Sequence, residues 1–380
     1  MRQGMLSAGR DAFHNDEKLI YQFTDRNLGF TLEGGVYEVP NARVIVFATS
    51  FLDQLDSHIA GKQNGAGLLA GLAGADSAAL EIDYRCDRDP RQALVPDEIH
   101  GATAVIADLE RYDRDLLAAV GRAGGGSLEL LVRYGVGMDS VDVAAATEAG
   151  VLVANTPGAN TVPTAEWAVA TLLDVAGRRM HHHRLASRGE GKTGPSRRDV
   201  SRRTLGIVGT GAIGRTVVEL LRGFAMEVIA HDPYPQLAWA EQAGVTYVDL
   251  EELLRRSDFI TLHAAANQQL IGAAELALMK PSAVLVNCAR GVLVDNRAAY
   301  SALSKQTLWG YGLDEVWPYR ELAVDAVNLA VSPHIGSDTD DGKANMQLLS
   351  AQAVVDYFAG TMPRFAINPE VAGRAAQQQR

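Results

Sequence analysis

The sequence predicts an α/β protein made of two doubly wound parallel-sheet domains with a ligand cleft between them. Three observations carry that expectation. The chain has 380 residues, 47% of them hydrophobic, enough for two separate cores. Short apolar runs alternate with stretches of helical periodicity along most of its length, as in parallel sheets covered on both faces. One strand-to-helix junction, Gly209–Gly214, reads GTGAIG, a turn that brings backbone close to a ligand.

Residues 1–40 read as an N-terminal extension, with LIYQF, GFTL and VYEV as strand-like runs and Gly34-Gly35 as a candidate hairpin turn. The first domain is expected over 41–157, on the strands VIVFATSF, AALEIDYR, TAVIADL, LELLVRYGVG and VLVANTP. A long helix is expected from Thr164 to Met180, with Arg178 and Arg179 at its electronegative end. The second domain, over 158–337, carries TLGIVG, EVIAHD, FITLH, AVLVNCA, GYGLD and NLAVSPH as strands. The amphipathic segment ANMQLLSAQAVVDYFAG forms a last helix within 338–380, expected to complete the first domain.

A formal charge of −11 gives no electrostatic reason for nucleic acid or an anionic membrane as partner. Two cysteines, Cys86 and Cys288, make no disulfide framework, and the N-terminus lacks the apolar core of a signal peptide. No apolar run is long enough to span a bilayer. A soluble, cytoplasmic protein is expected.

In the glycine motif, Gly209 permits the tight turn, Gly211 lets the backbone approach a pyrophosphate, and Gly214 allows close helix-strand packing. Ala212 and Ile213 open the helix, whose N-terminal N–H groups favour anions. Asp232 follows at the end of the next strand, 18 positions beyond Gly214 (232 − 214). There it can accept hydrogen bonds from the ribose hydroxyls and repel a 2′-phosphate, so this Rossmann-like unit should bind NAD rather than NADP.

Two further side chains follow buried strands. Arg290, in LVNCARG, has the planar fork that grips a carboxylate, although a surface arginine in an ion pair is the commoner occurrence. His334, in LAVSPHIGS, could exchange a proton near neutral pH, although a lone histidine is more often structural.

Over about residues 130 to 350 the chain resembles the D-isomer-specific 2-hydroxyacid dehydrogenase family, which includes phosphoglycerate, glycerate, lactate and formate dehydrogenases. RYGVGMDSVDVAAATEAGVLVANTPG, GTGAIG with HDP, NCARGVLVD, GLD and SPHIG carry the resemblance. It implies hydride transfer between nicotinamide and C2 of a small 2-hydroxy or 2-keto acid. Arg290 would then bind the substrate carboxylate and ketone oxygen, and His334 would be the general acid/base. Backbone N–H groups at Gly135, Val136 and Gly137 would hold the carboxylate from the first domain, and Asp314 would orient the nicotinamide amide. The resemblance also places His263, Ala264, Cys288, Ala289, Arg290, His334 and Gly336 beside the cofactor, and implies a homodimer.

The match departs in two places. The family's glutamate five residues after the GLD aspartate, which partners the histidine, is Tyr319 here. Glu321 is the first replacement candidate and Glu315 the second; with neither, the histidine's pKa would fall. Where phosphoglycerate dehydrogenases carry a phosphate-binding arginine, the chain has Ala107 and Asp108, which disfavours a phosphorylated substrate unless Arg111 or Arg114 reaches in. Two alternatives stay open: an NAD(H)-sensing binding protein without turnover, and a phosphite dehydrogenase-like oxidoreductase. His181, His182 and His183 point in different directions on a helix and make no metal site. The basic run SRRDVSRR reads as a surface loop, and Gly124–Gly126 as a connection.

Overall fold

The computed structural model describes residues 21–25, 30–34, 42–48, 69, 80–89, 92–194, 196–266, 268–323 and 327–371. Within the extension, β1 (Tyr21–Asp25) and β2 (Phe30–Gly34) pair antiparallel, with Tyr21 opposite Gly34. Gly34 ends β2, and Gly35 and the run VYEV, which the expected Gly34-Gly35 turn would join to it, lie outside the described residues.

The chain divides into two compact units, Met1–Thr156 with Gln347–Arg380 and Pro157–Met346. The first contains a parallel five-stranded sheet in the order β4-β3-β5-β6-β7, formed by β3 (Ala42–Val46), β4 (Leu80–Tyr84), β5 (Ala104–Ala107), β6 (Leu130–Arg133) and β7 (Leu152–Ala154). Ile45, Val105, Leu131 and Val153 meet Leu116 and Leu117 of α1 (Arg114–Val120) in one core. The C-terminal segment covers the edge at β7: Ile367 N–H donates to Val153 O at 2.7 Å, and Asn368 Oδ1 accepts from Val153 N–H at 2.7 Å. An otherwise open edge strand is thereby satisfied.

The second unit holds a parallel seven-stranded sheet in the order β10-β9-β8-β11-β12-β13-β14. Its strands are β8 (Thr204–Val208), β9 (Glu227–His231), β10 (Val245–Tyr247), β11 (Phe259–Leu262), β12 (Val284–Asn287), β13 (Gly310–Asp314) and β14 (Leu329–Ser332). Side-chain alternation sends Ile260 and Leu262 into one face layer and Phe259 into the other, so both faces are covered. The edge strand β10 is too short and mixed to stand out by sequence pattern.

Helix α2 (Thr161–Gly177) runs antiparallel to β13, the missing side chains of two strand glycines making room for it. A Cβ on Gly312 would strike Thr171, and one on Gly310 would strike Val175. The expected single helix through Met180 instead breaks at Arg178, which adopts φ 48° and leads into α3 (Arg179–Ser187) carrying the three histidines. His181 Nε2 lies 3.4 Å from Thr193 O. The last helix, α4 (Asp340–Phe358), starts in the second unit and ends in the first.

Among the described residues no helix is long and apolar enough to cross a membrane. Gln306, just beyond the helix Asn296–Ser304, sits at φ 58°, a conformation that favours glycine after a helix C-terminus. Gln306→Gly should therefore raise stability by about 1 kcal/mol, read as a higher thermal midpoint; a lower midpoint would show that the Gln306 side chain contributes more than its backbone strain costs.

Candidate active site

The second unit gathers its polar side chains at the carboxyl ends of its strands, where open parallel sheets bind ligands. After β8, Gly209 takes φ 95°, and a Cβ there would lie 2.7 Å from Ala264 N and His263 C. Gly214 packs against Gly209 O too closely for any side chain, while nothing stands within 4 Å of a Cβ at Gly211. Gly211 begins the helix Ala212–Leu220 without a side-chain cap, leaving its first N–H groups to an anion.

Asp232 is held by that same turn. Its Oδ2 accepts from Thr210 N–H at 2.6 Å and from Thr210 Oγ1 at 2.9 Å, and its Oδ1 accepts from Tyr234 N–H at 2.8 Å. Burial would raise this carboxyl, but the hydrogen bonds outweigh it and keep the pKa below the usual carboxylate range. Thr210 Oγ1 also meets Tyr247 Oη at 2.8 Å. The sequence reading missed Thr210 and Tyr247; a polar residue inside the glycine turn was the available signal.

After β11, His263 Nε2 is 2.9 Å from Thr261 Oγ1, and its buried Nδ1 has no protein partner. Burial pushes the imidazole down to about 4, so it stays neutral. After β12, Cys288 is buried, and burial together with Asp314 pushes its thiol up to about 12. It is therefore a poor nucleophile at neutral pH.

Arg290 follows, its loop fixed by Asn287. Asn287 is fully buried, accepts from Ala289 N–H at 3.1 Å and donates to Arg290 O at 2.8 Å. Asn287 lay within the motif quoted from the sequence, yet its positioning role was not read from it. The Arg290 guanidinium donates to Ala289 O at 2.9 Å and is near enough to Glu315 and His334 to influence both charges.

His334 sits after β14 with φ 60°, a left-handed conformation uncommon for a side-chain-bearing residue. Asp314, at the end of β13, holds the turn around it. Its Oδ1 accepts from Ser332 Oγ at 2.6 Å and from Ile335 N–H at 2.9 Å, and its Oδ2 accepts from Gly336 N–H at 2.7 Å. Trp167 Nε1–H donates to Ser332 Oγ at 3.1 Å, tying α2 to the same turn.

The carboxylate beside His334 belongs to Glu315, with Oε2 3.7 Å from Nδ1. That is an ion-pair distance, longer than a direct hydrogen bond. Glu315 raises the imidazole's pKa against the opposing effects of burial and Arg290, and its own carboxyl is lowered chiefly by His334 and further by Gly291 N–H and Arg290. A Cβ on Gly291 would lie 3.0 Å from Glu315 Cγ, so the glycine leaves room for this side chain. Glu321, the first choice from sequence, is a correction: it is exposed and paired with Arg297 at 2.6 Å, whose guanidinium stacks on Tyr319. The rebuilt loop turns Glu321 toward that surface pair.

A family model described as "D-isomer specific 2-hydroxyacid dehydrogenase, NAD binding domain" matches residues 169–336. The glyoxylate reductase of Thermococcus litoralis is 34% identical over 303 residues, covering 76% of this chain and 90% of that protein. The chain belongs to the D-isomer specific 2-hydroxyacid dehydrogenase family. The glyoxylate reductase of Korarchaeum cryptofilum is 32% identical over 77% of this chain and 91% of its own. Among solved structures, the TT0316 protein of Thermus thermophilus aligns with a TM-score of 0.72 at 29% identity, over 86% of this chain and 99% of that one. A glyoxylate reductase from Paecilomyes thermophila aligns with a TM-score of 0.71 at 25% identity, over 87% and 100%.

The chain is thus an NAD-dependent oxidoreductase of the 2-hydroxyacid dehydrogenase family. Its second unit has the features that a dinucleotide needs: a turn where Gly209 and Gly214 leave no space for side chains, an uncapped helix start, an ionised Asp232 and a buried His263 Nδ1 without a partner among the described residues. No group of metal-ligating side chains occurs among the described residues.

In the first unit, the loop after β6 holds Gly135 at φ 131°, where a Cβ would meet Arg133 Nη1 at 2.9 Å. Gly135 N–H donates to Thr156 Oγ1 at 2.9 Å, and Asn155 Nδ2 donates to Val136 O at 2.9 Å. Gly135, Val136 and Gly137 therefore lie on a braced loop at the carboxyl edge of that unit's sheet. Arg114 is paired with Glu148, and Asp108 N–H donates to the fully buried Glu110 at 2.8 Å.

Two measurements test this geometry. Titrating His334 by NMR should give a lower pKa in Glu315→Gln and an unchanged one in Glu321→Gln; the reverse order would assign the partner carboxylate to Glu321. Asp232→Ala should weaken NADH binding by roughly tenfold or more, from lost hydrogen bonds to a charged group; unchanged affinity in calorimetry would exclude Asp232 from the ribose site.

Proposed function

We propose that the protein reduces a small, unphosphorylated 2-keto acid with NADH, and oxidises the corresponding 2-hydroxy acid in reverse. The observation that carries this reading is the grouping of Arg290, Glu315 and His334 at the ends of successive strands of one sheet. The bound nicotinamide supplies or accepts the hydride. Arg290 binds the substrate carboxylate and polarises the ketone oxygen through charge-assisted hydrogen bonds. His334, kept protonated to higher pH by Glu315, gives its proton to that oxygen during reduction. Glu315 is a positioning residue: it acts through the imidazole, in place of the glutamate absent at Tyr319.

Val136 and Gly137 offer backbone N–H groups to the carboxylate, with Gly135 N–H bracing the loop through Thr156, and Ala264, Ala289 and Gly336 line the cofactor side. Asp232 favours NADH over NADPH by repelling a 2′-phosphate. A phosphorylated acid is a poor candidate. Arg114, one of the two arginines that could have met a phosphate group, is instead paired with Glu148. The glyoxylate reductases among the relatives make glyoxylate the first acid to test. Glu315 beside His334 favours turnover over a non-catalytic NAD(H) sensor, the alternative that the unusual loop before His334 kept open. The proposal includes a cytoplasmic homodimer, in keeping with two buried free cysteines.

With glyoxylate and NADH, Arg290→Ala and His334→Ala should each lower kcat/KM by about 100-fold or more. Because His334 acts as the acid, wild-type reduction should decline as pH rises through its elevated pKa, and Glu315→Gln should move that decline to lower pH. Full activity in Arg290→Ala, or a pH profile untouched by Glu315→Gln, would overturn the assignment.

A further inference from the structure

The opposite edge of the second unit's sheet carries a cluster that the reaction does not use. Trp309 precedes β13, and Arg178 ends α2, which runs antiparallel to that strand and so reaches its start. Asn328 Nδ2 donates to Val175 O and to Trp309 O, each at 3.1 Å, joining helix end and strand start. Arg198 reaches the same place because its N–H donates to Ala176 O at 2.9 Å.

Both guanidiniums lie against one indole: Arg178 Cζ is 5.6 Å and Arg198 Cζ 4.4 Å from the Trp309 ring centroid. Arg178 Nε, Arg198 Nε and Trp309 Nε1 are all buried without a hydrogen-bond partner among the described residues. Neither guanidinium has a carboxylate or carbonyl partner among the described residues, and burial draws the Arg178 pKa down with no anionic neighbour to restore it. Cation–π contact offsets part of the cost of holding two like charges together, but it satisfies no N–H group. A half-buried cluster of donors, with two positive charges, is complementary to an oxyanion.

We propose that Arg178, Arg198 and Trp309 form a binding site for a phosphate-type dianion, separated from the dinucleotide crevice by the length of β13. The indole braces the two guanidinium planes, and their N–H groups supply the hydrogen bonds. The site is independent of the keto acid reaction.

The test is a titration of NAD⁺-saturated protein with inorganic phosphate, followed by tryptophan emission, with chloride at matched ionic strength as control. Saturating NAD⁺ keeps phosphate out of the glycine turn. The expected result is a saturable emission change absent with chloride, lost in Trp309→Phe, and with its midpoint raised about tenfold in Arg178→Met and in Arg198→Met. Arg198→Lys, which keeps the charge but loses the fork, should also weaken it. The absence of a phosphate-specific response in the wild type overturns the proposal without relying on any variant. So does a midpoint unchanged in both methionine variants, or variants that alter only the association state in sedimentation, which would assign the acceptor to a second copy of the chain.

Discussion

The hydrogen bonds that Asp314 accepts from Ser332, Ile335 and Gly336 hold His334 in a left-handed backbone conformation. Such a conformation costs of order 1 kcal/mol or more and persists only where surrounding contacts fix it. Asp314 closes the strand β13, and the next residue, Glu315, faces the imidazole. One strand end thus sets both the direction of the histidine ring and the charge beside it. Gly291 lets Glu315 lie over the Arg290 turn, so the three charged groups of the proposed reaction share a single support.

This arrangement answers the departure from the family pattern. A carboxylate five residues beyond Asp314 would come from the loop, whereas here it comes from the strand end itself. An imidazolium is favoured by a nearby negative charge whichever segment supplies it. The loop is then relieved of that duty, and its Glu321 and Tyr319 pack with Arg297 at the surface.

Much of the fold was legible in the sequence because parallel strands buried on both faces appear as apolar runs, and β8, β11, β12 and β13 are of that kind. The glycine motif was legible because steric exclusion at Gly209 and Gly214 leaves no other residue type possible. Three features were not. The antiparallel pairing of β1 with β2 carries no distinctive sequence signal. The helix break at Arg178, where the side chain lies against Trp309, has no glycine at the left-handed position itself to mark it. The carboxylate partner of His334 depended on the path of a rebuilt loop, and spacing to Asp314 alone ranked Glu321 above Glu315. Asn287 and Thr210 stood in plain view, but buried amide and hydroxyl groups reveal their roles only when their hydrogen bonds are traced.

The most direct test of the account is a crystal structure with NADH and oxamate, an unreactive analogue of a 2-keto acid. The account requires both the Arg290 guanidinium and His334 Nε2 within hydrogen-bond distance of the oxygen on the carbon that faces the nicotinamide, with Glu315 on the far side of the imidazole. Oxamate bound with that oxygen beyond reach of either side chain, or His334 turned to Glu321, would contradict it.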